Sequence, residues 1–194
     1  MDKNLIKNKI KQTSLAISSF FDANDEKFIV LAQNMAELFK QGRTLFVIGN
    51  GGSACDAEHV MVEFNHPIFT KRKSLACIAL TPSSALITAI SNDEDFSMVF
   101  NKPLQNLAKP QDMLMALSSS GMSSNLINAF KLAQSLNLFT LAFLGKDGGR
   151  LAKLTDNAFI VPSYSIHRIQ ETHVVMLHIL WDLIHICLGE EDIV

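Results

Sequence analysis

The stretch Phe46-Val47-Ile48-Gly49-Asn50-Gly51-Gly52-Ser53 decides the reading of this chain. It opens apolar and β-prone, passes through a Gly-rich turn, and runs into a helix-forming segment. That segment carries His59 and Glu63, four residues apart, a spacing that puts both side chains on one helix face. Such a turn can hold an anionic ligand, and such a face can hold a metal ion or a proton-transfer pair. Together they point to an enzyme acting on a phosphorylated small molecule.

Working outward, helix periodicity predicts two N-terminal helices, over Leu5–Phe21 and Glu26–Lys40, with Gln41-Gly42 ending the second. Strand and helix then alternate. Strands are expected at Thr44–Ile48, Leu75–Leu80, Asp112–Leu117, Phe139–Leu144 and Ala158–Val161. Helices are expected near Ala54–Phe64, after Thr81-Pro82-Ser83-Ser84 over Ala85–Ile90, near Ser124–Leu136, and over about Arg168–Leu188. The strands are apolar throughout rather than alternating, the mark of strands buried on both faces. Five such strands with short links imply an α/β fold with a parallel sheet flanked by helices. The chain reads as one domain over residues 1–194. The N-terminal helices, about residues 2–41, would pack on the core or on an oligomer interface.

A length of 194 residues with 48% hydrophobic and 19% charged residues is a globular composition with room for a sizeable core. A net charge of -2 gives no basic face, so nucleic acid is not expected as a partner. The cluster Lys71-Arg72-Lys73 reads as a solvated loop. Cys55, Cys77 and Cys187 form no CxxC pair; Cys77 and Cys187 read as small core residues. The odd count, without an apolar leader, suggests the cytoplasm. No apolar run reaches bilayer length, because Asp182 and His178 interrupt the last one.

Ligands of parallel sheets bind beyond the carboxyl ends of the strands, and three segments fall there. Asn50-Gly51-Gly52-Ser53 offers close backbone approach and helix N-terminal N–H groups. It is neither a GxGxxG fingerprint nor a Walker loop. Ser118-Ser119-Ser120-Gly121-Met122-Ser123 follows a strand and precedes a helix, and its hydroxyls and N–H groups suit a phosphate dianion. Ser91-Asn92-Asp93 serves either as a loop cap or as a contact to sugar hydroxyls. The metal or acid–base candidates are His59, Glu63, Gln170, His173 and His178. Gln170 and His178 lie roughly 80° apart around their helix and about 12 Å apart along it. One metal could therefore touch both only from between them, or the two could serve a site from different subunits. His173 reads equally as a packed histidine, His185 as core or interface, and Trp181 as core.

At these residues the chain resembles the sugar isomerase (SIS) domain family and, within it, the phosphoheptose isomerases. The matching stretches are GNGGSACDAEHVMVEF, the SND turn, SSSGMSSNLI, GKDGG and RIQETHVVMLHIL, in family order from about Leu5 to Leu188. The resemblance implies a flavodoxin-like three-layer sandwich around a five-stranded parallel sheet, assembled as a homotetramer with sites at subunit interfaces. It implies one zinc ion per subunit on His59, Glu63, Gln170 and His178. Substrate contacts would come from Asn50, Gly51, Gly52, Glu63, Asn92, Asp93, Ser118, Ser119, Ser120, Ser123 and Gln170. The implied reaction is isomerisation of sedoheptulose 7-phosphate to D-glycero-D-manno-heptose 7-phosphate, the first step towards ADP- and GDP-heptose for bacterial surface polysaccharide. Glu63 would be the base and His178 its acid/base partner.

Two departures stand out. Phe64-Asn65-His66-Pro67 replaces a family pattern of leucine, a small hydroxylated residue, glycine and arginine. Met122 stands where asparagine is common. Two other readings accompany the enzyme: a non-catalytic binding module of the DnaA initiator-associating type, and a sugar-phosphate sensor. The binding module lacks the Glu and the final His that this chain keeps at Glu63 and His178.

Overall fold

A computed structural model describes residues 3–68, 71–81, 83–155 and 157–192. The expected elements that reach into residue 2 or begin at Pro82 therefore lie partly outside it. Among the described residues there are five strands, β1 (Leu45–Gly49), β2 (Cys77–Ala79), β3 (Met113–Ser118), β4 (Phe139–Gly145) and β5 (Asn157–Val161). Six α-helices accompany them: α1 (Lys3–Lys40), α2 (Gly52–Asn65), α3 (Ser84–Asp93), α4 (Asn101–Leu107), α5 (Ser124–Ser135) and α6 (Ile166–Cys187). All strand pairs are parallel, in the order β2-β1-β3-β4-β5. That order reverses direction between β1 and β3, which is the switch point of a flavodoxin-like sheet.

Side chains leave a strand on alternate faces, and both faces here are covered. Leu45 and Val47 of β1 join one core with Met113, Met115, Phe143 and residues of α1, α2 and α6. Phe46 and Ile48 point the other way, into a second core with Leu114, Ala116 and residues of α5. Uniform apolarity of the strands is thus the consequence of three layers.

The expected break between two N-terminal helices is absent: α1 is one helix of 38 residues. The segment Asp22-Ala23-Asn24-Asp25 looks like a cap, but no Gly or Pro interrupts residues 3–40. Asn24 instead donates its side-chain amide back to the Phe20 carbonyl at 2.8 Å. Around this point Phe20 packs edge-on against Phe21 and Phe28, so tertiary packing carries the helix through a polar stretch. Asn92 and Asp93 belong to the last turn of α3 rather than to a following loop. The short helix α4 carries no clear periodic signal in its seven residues. Arg72 corrects the solvated-loop reading of its cluster: it is 7% exposed, bonded to Asp182 at 2.9 Å and stacked on Trp181.

Candidate functional site

The two loops at the switch point meet. Asn50, just after β1, and Asn125, in the first turn of α5, exchange amide hydrogen bonds in both directions at 3.0 and 2.8 Å. Asn125 is 1% exposed, and its Oδ1 also accepts from the Leu126 N–H. Between the loops is a polar cleft of about 80 Å³ lined by Asn50, Ser53, Ser118, Ser119, Ser120, Ser123 and Gln170. None of these side chains is charged. Ser118 Oγ accepts from Gly121 N–H at 3.0 Å, and Ser120 Oγ accepts from Met122 N–H at 3.3 Å. With their oxygens so engaged, the hydroxyl hydrogens remain free to donate to an anion. The loop is wedged against the second Gly-rich turn: a Cβ on Gly121 (φ 60°) would overlap the Gly148 carbonyl.

The second half of the site lies between α2 and α6. These helices run the same way: Gln170 rests on Gly52, His178 meets His59, and Trp181 meets Glu63. Gly52 leaves room for that amide: a Cβ would stand 2.7 Å from Gln170 Nε2 and push the side chain aside. His59 Nε2 lies 3.3 Å from Glu63 Oε1 and 3.4 Å from His178 Nε2. The ligand atoms of all three residues lie within 4.8 Å of one another. Glu63 is the most sheltered of them, with a side chain 15% exposed; His178 is exposed.

This geometry suits a metal. Zinc–nitrogen and zinc–oxygen bonds of about 2.0–2.1 Å, set tetrahedrally, place neighbouring ligand atoms about 3.3–3.4 Å apart. The two measured separations match that edge. Two imidazoles and a carboxylate with an open fourth corner form the donor set of a catalytic zinc site. Gln170, the fourth ligand expected from the resemblance, lies at the serine cleft beside Gly52. Asp56 shares the α2 face of His59 and Glu63; burial raises its carboxyl above the usual range, and His59 partly offsets this. One of its oxygens is buried without a hydrogen-bond partner.

The other candidates separate clearly. Asn92 and Asp93 are exposed, bonded to each other at 2.8 Å, and do not line the serine cleft. His173 is a packed histidine, 1% exposed, with Nε2 3.1 Å from the Leu144 carbonyl, and burial pulls it down to about 4. His185 is buried against Glu190 at 2.9 Å. Asn65, in the departing segment, serves the fold: its amide donates to the Met61 and Cys77 carbonyls at 3.0 and 2.6 Å. Asn125 and the indole of Trp181 do not stand out in the sequence. An asparagine in the first turn of a helix behind a serine loop was the available signal for the first.

Comparison with known proteins agrees with this architecture. The SIS domain matches residues 10–145. The chain is 35% identical to the phosphoheptose isomerase of Geotalea daltonii over 92% of this chain and 93% of that protein. It is 41% identical to that of Campylobacter jejuni over 77% of this chain and 81% of that protein. The solved structure of a phosphoheptose isomerase from Francisella tularensis superposes with a TM-score of 0.91 at 30% identity, covering 95% of this chain and 99% of that one. A parallel sheet in flavodoxin-like order, a serine cleft at its switch point and this breadth of similarity lead to one assignment: the chain belongs to the SIS domain family.

Proposed function

We infer that the chain is a phosphoheptose isomerase, an aldose–ketose isomerase converting sedoheptulose 7-phosphate to D-glycero-D-manno-heptose 7-phosphate. The observation that carries this is the meeting of Glu63 and His178, 115 positions apart in sequence, beside an anion-binding cleft. The cleft serines and the α5 N-terminus hold the phosphate through neutral donors. Glu63 removes a proton from C1 of the ketose and returns it to C2 of the enediol. His178 takes the proton from O1 and delivers one to O2, so the sugar gains and loses none overall. Glu63 is the more sheltered of the pair and His178 is exposed, so a proton held on either can exchange with solvent during turnover.

We assign zinc to His59, Glu63 and His178, on the strength of their mutual distances, with Gln170 as the fourth ligand that the resemblance implies. When bound, it would supply Lewis-acid polarisation of the substrate oxygens. A carboxylate on the metal is a weaker base, so the two uses of Glu63 compete. We further propose a homotetramer that covers the open side of the site. Exposed His178 and the exposed Leu5, Ile6 and Ile10 of α1 support this. Among the described residues no helix is long and apolar enough to cross a membrane. The surface-polysaccharide pathway and the cytoplasm follow as proposals from the reaction assigned. The test is conversion of sedoheptulose 7-phosphate by the wild-type chain and by Glu63→Gln. Conversion by the first and not by a folded second supports the reading; equal rates remove Glu63 as base.

A further inference from the structure

The last turn of α2 ends in an unusual bond. A helix leaves its final carbonyls without intrahelical donors. Here Val62 O accepts from His66 N–H at 2.9 Å, and Phe64 O accepts from Leu75 N–H at 2.7 Å. The donor that helix geometry would bring to Glu63 O is the amide of residue 67. Residue 67 is proline and has no N–H. Glu63 O accepts instead from the indole Nε1–H of Trp181, at 2.9 Å.

Trp181 lies three residues beyond His178 on α6, about 4.5 Å further along the axis. The indole therefore ties the main chain of one reacting residue to the helix that carries the other. The ring is itself held. Arg72 stacks on it 4.3 Å from the centroid and bonds Asp182 at 2.9 Å. The His185 ring lies 4.6 Å away, and Trp181 is 6% exposed. A side chain so enclosed has one rotamer available, and its N–H points in one direction.

We propose that Trp181 is a positioning residue for the isomerisation: its indole N–H replaces the amide donor that Pro67 lacks and fixes Glu63 at its reaction distance from His178. This rests on the isomerase reading above. The phosphate-binding serines, Ser118, Ser119, Ser120 and Ser123, belong to the loop between β3 and α5, and the Trp181 bond touches none of them. Loss of the bond therefore misplaces the base without releasing the phosphate.

Trp181→Phe keeps an aromatic ring between Arg72 and His185 and deletes the donor. Misplacement of a reacting group on the ångström scale predicts a fall in kcat between about tenfold and a hundredfold. Uniform binding is untouched, so KM should stay within about twofold. Adding Pro67→Ala to that variant restores an N–H at position 67 and frees His66 for helical backbone, which proline disfavours in its predecessor. The double variant should regain kcat. A third readout needs no variant: the chain has one tryptophan, so its indole N–H gives one NMR signal, which should exchange slowly with solvent. An unchanged kcat in folded Trp181→Phe, no recovery in the double variant, or a fast-exchanging indole would overturn the proposal. So would kcat and KM worsening together in step with a falling thermal midpoint. An inactive wild-type chain would remove the isomerase reading and this role with it. An active wild type with an unaffected Trp181→Phe removes only the role.

Discussion

Replacing Gly52 with alanine should impair substrate handling while leaving the fold intact. Gly52 opens α2 with no left-handed φ, so alanine suits its backbone. The added Cβ would stand 2.7 Å from Gln170 Nε2 and 3.4 Å from Gln170 Cδ. Ordinary contact begins near 3.4 Å, so the amide nitrogen must withdraw by about 0.7 Å. The obstacle is the far end of a flexible side chain, and strand and helix need not move. Gly→Ala at a compatible position stabilises by about 0.4–1 kcal/mol through the unfolded chain, which offsets lost packing on Gln170. Function is less forgiving: about 1 Å of misplacement costs on the order of a hundredfold, so this shift predicts roughly a tenfold loss in kcat/KM. Initial rates against sedoheptulose 7-phosphate concentration, beside a thermal melt, read both quantities. Full kcat/KM in a folded Gly52→Ala would show that Gln170 does not act at the cleft.

Gly121→Ala should behave oppositely, because its Cβ meets the Gly148 main chain and φ is 60°; a loss of about 3 kcal/mol or more in unfolding free energy is expected in a denaturant titration. His173 makes stability pH-dependent. Its folded value of about 4 lies below the ordinary 6.5, so the unfolded chain binds the extra proton. The stability it confers is complete above about pH 6.5 and is lost as pH falls towards 4, about 3 kcal/mol in all. Melts across that range should converge between wild type and His173→Phe as pH drops, and a constant gap would contradict the assignment. His59→Ala removes one corner of the proposed zinc site. Metal content by elemental analysis should fall at least tenfold while the melt shifts little, since the ring is more than a third exposed. A zinc content equal to wild type would place the metal elsewhere.

Much of the fold was legible because burial on two faces leaves its imprint on the central strands β1, β3 and β4. Val47 and Ile48 point into different cores, so both had to be apolar. The continuous α1 was not legible, because Asp22–Asp25 reads locally as a cap while the packing of Phe20 and Phe28 decides the outcome. The pairing of His59 with Glu63 followed from helix spacing alone. Its completion by His178 could not, since no periodicity relates residues on separate helices. Arg72 shows the same limit: a cation between two lysines looks solvated until Trp181 and Asp182 arrive from 110 residues away. Asn125 was hidden for another reason. Its partner Asn50 lies 75 residues earlier, and each asparagine alone resembles a loop or cap residue.

Catalysis as proposed rests on Glu63 moving a carbon-bound proton of a heptose phosphate. The direct measurement is conversion of sedoheptulose 7-phosphate in deuterated water, by wild type and by Glu63→Gln, with deuterium at C2 of the product read by NMR. Wild type should form product carrying deuterium at C2, and a folded Glu63→Gln should form none. Absence of conversion by wild type, with or without added zinc, would contradict this role, as would a Glu63→Gln variant that forms product at the wild-type rate.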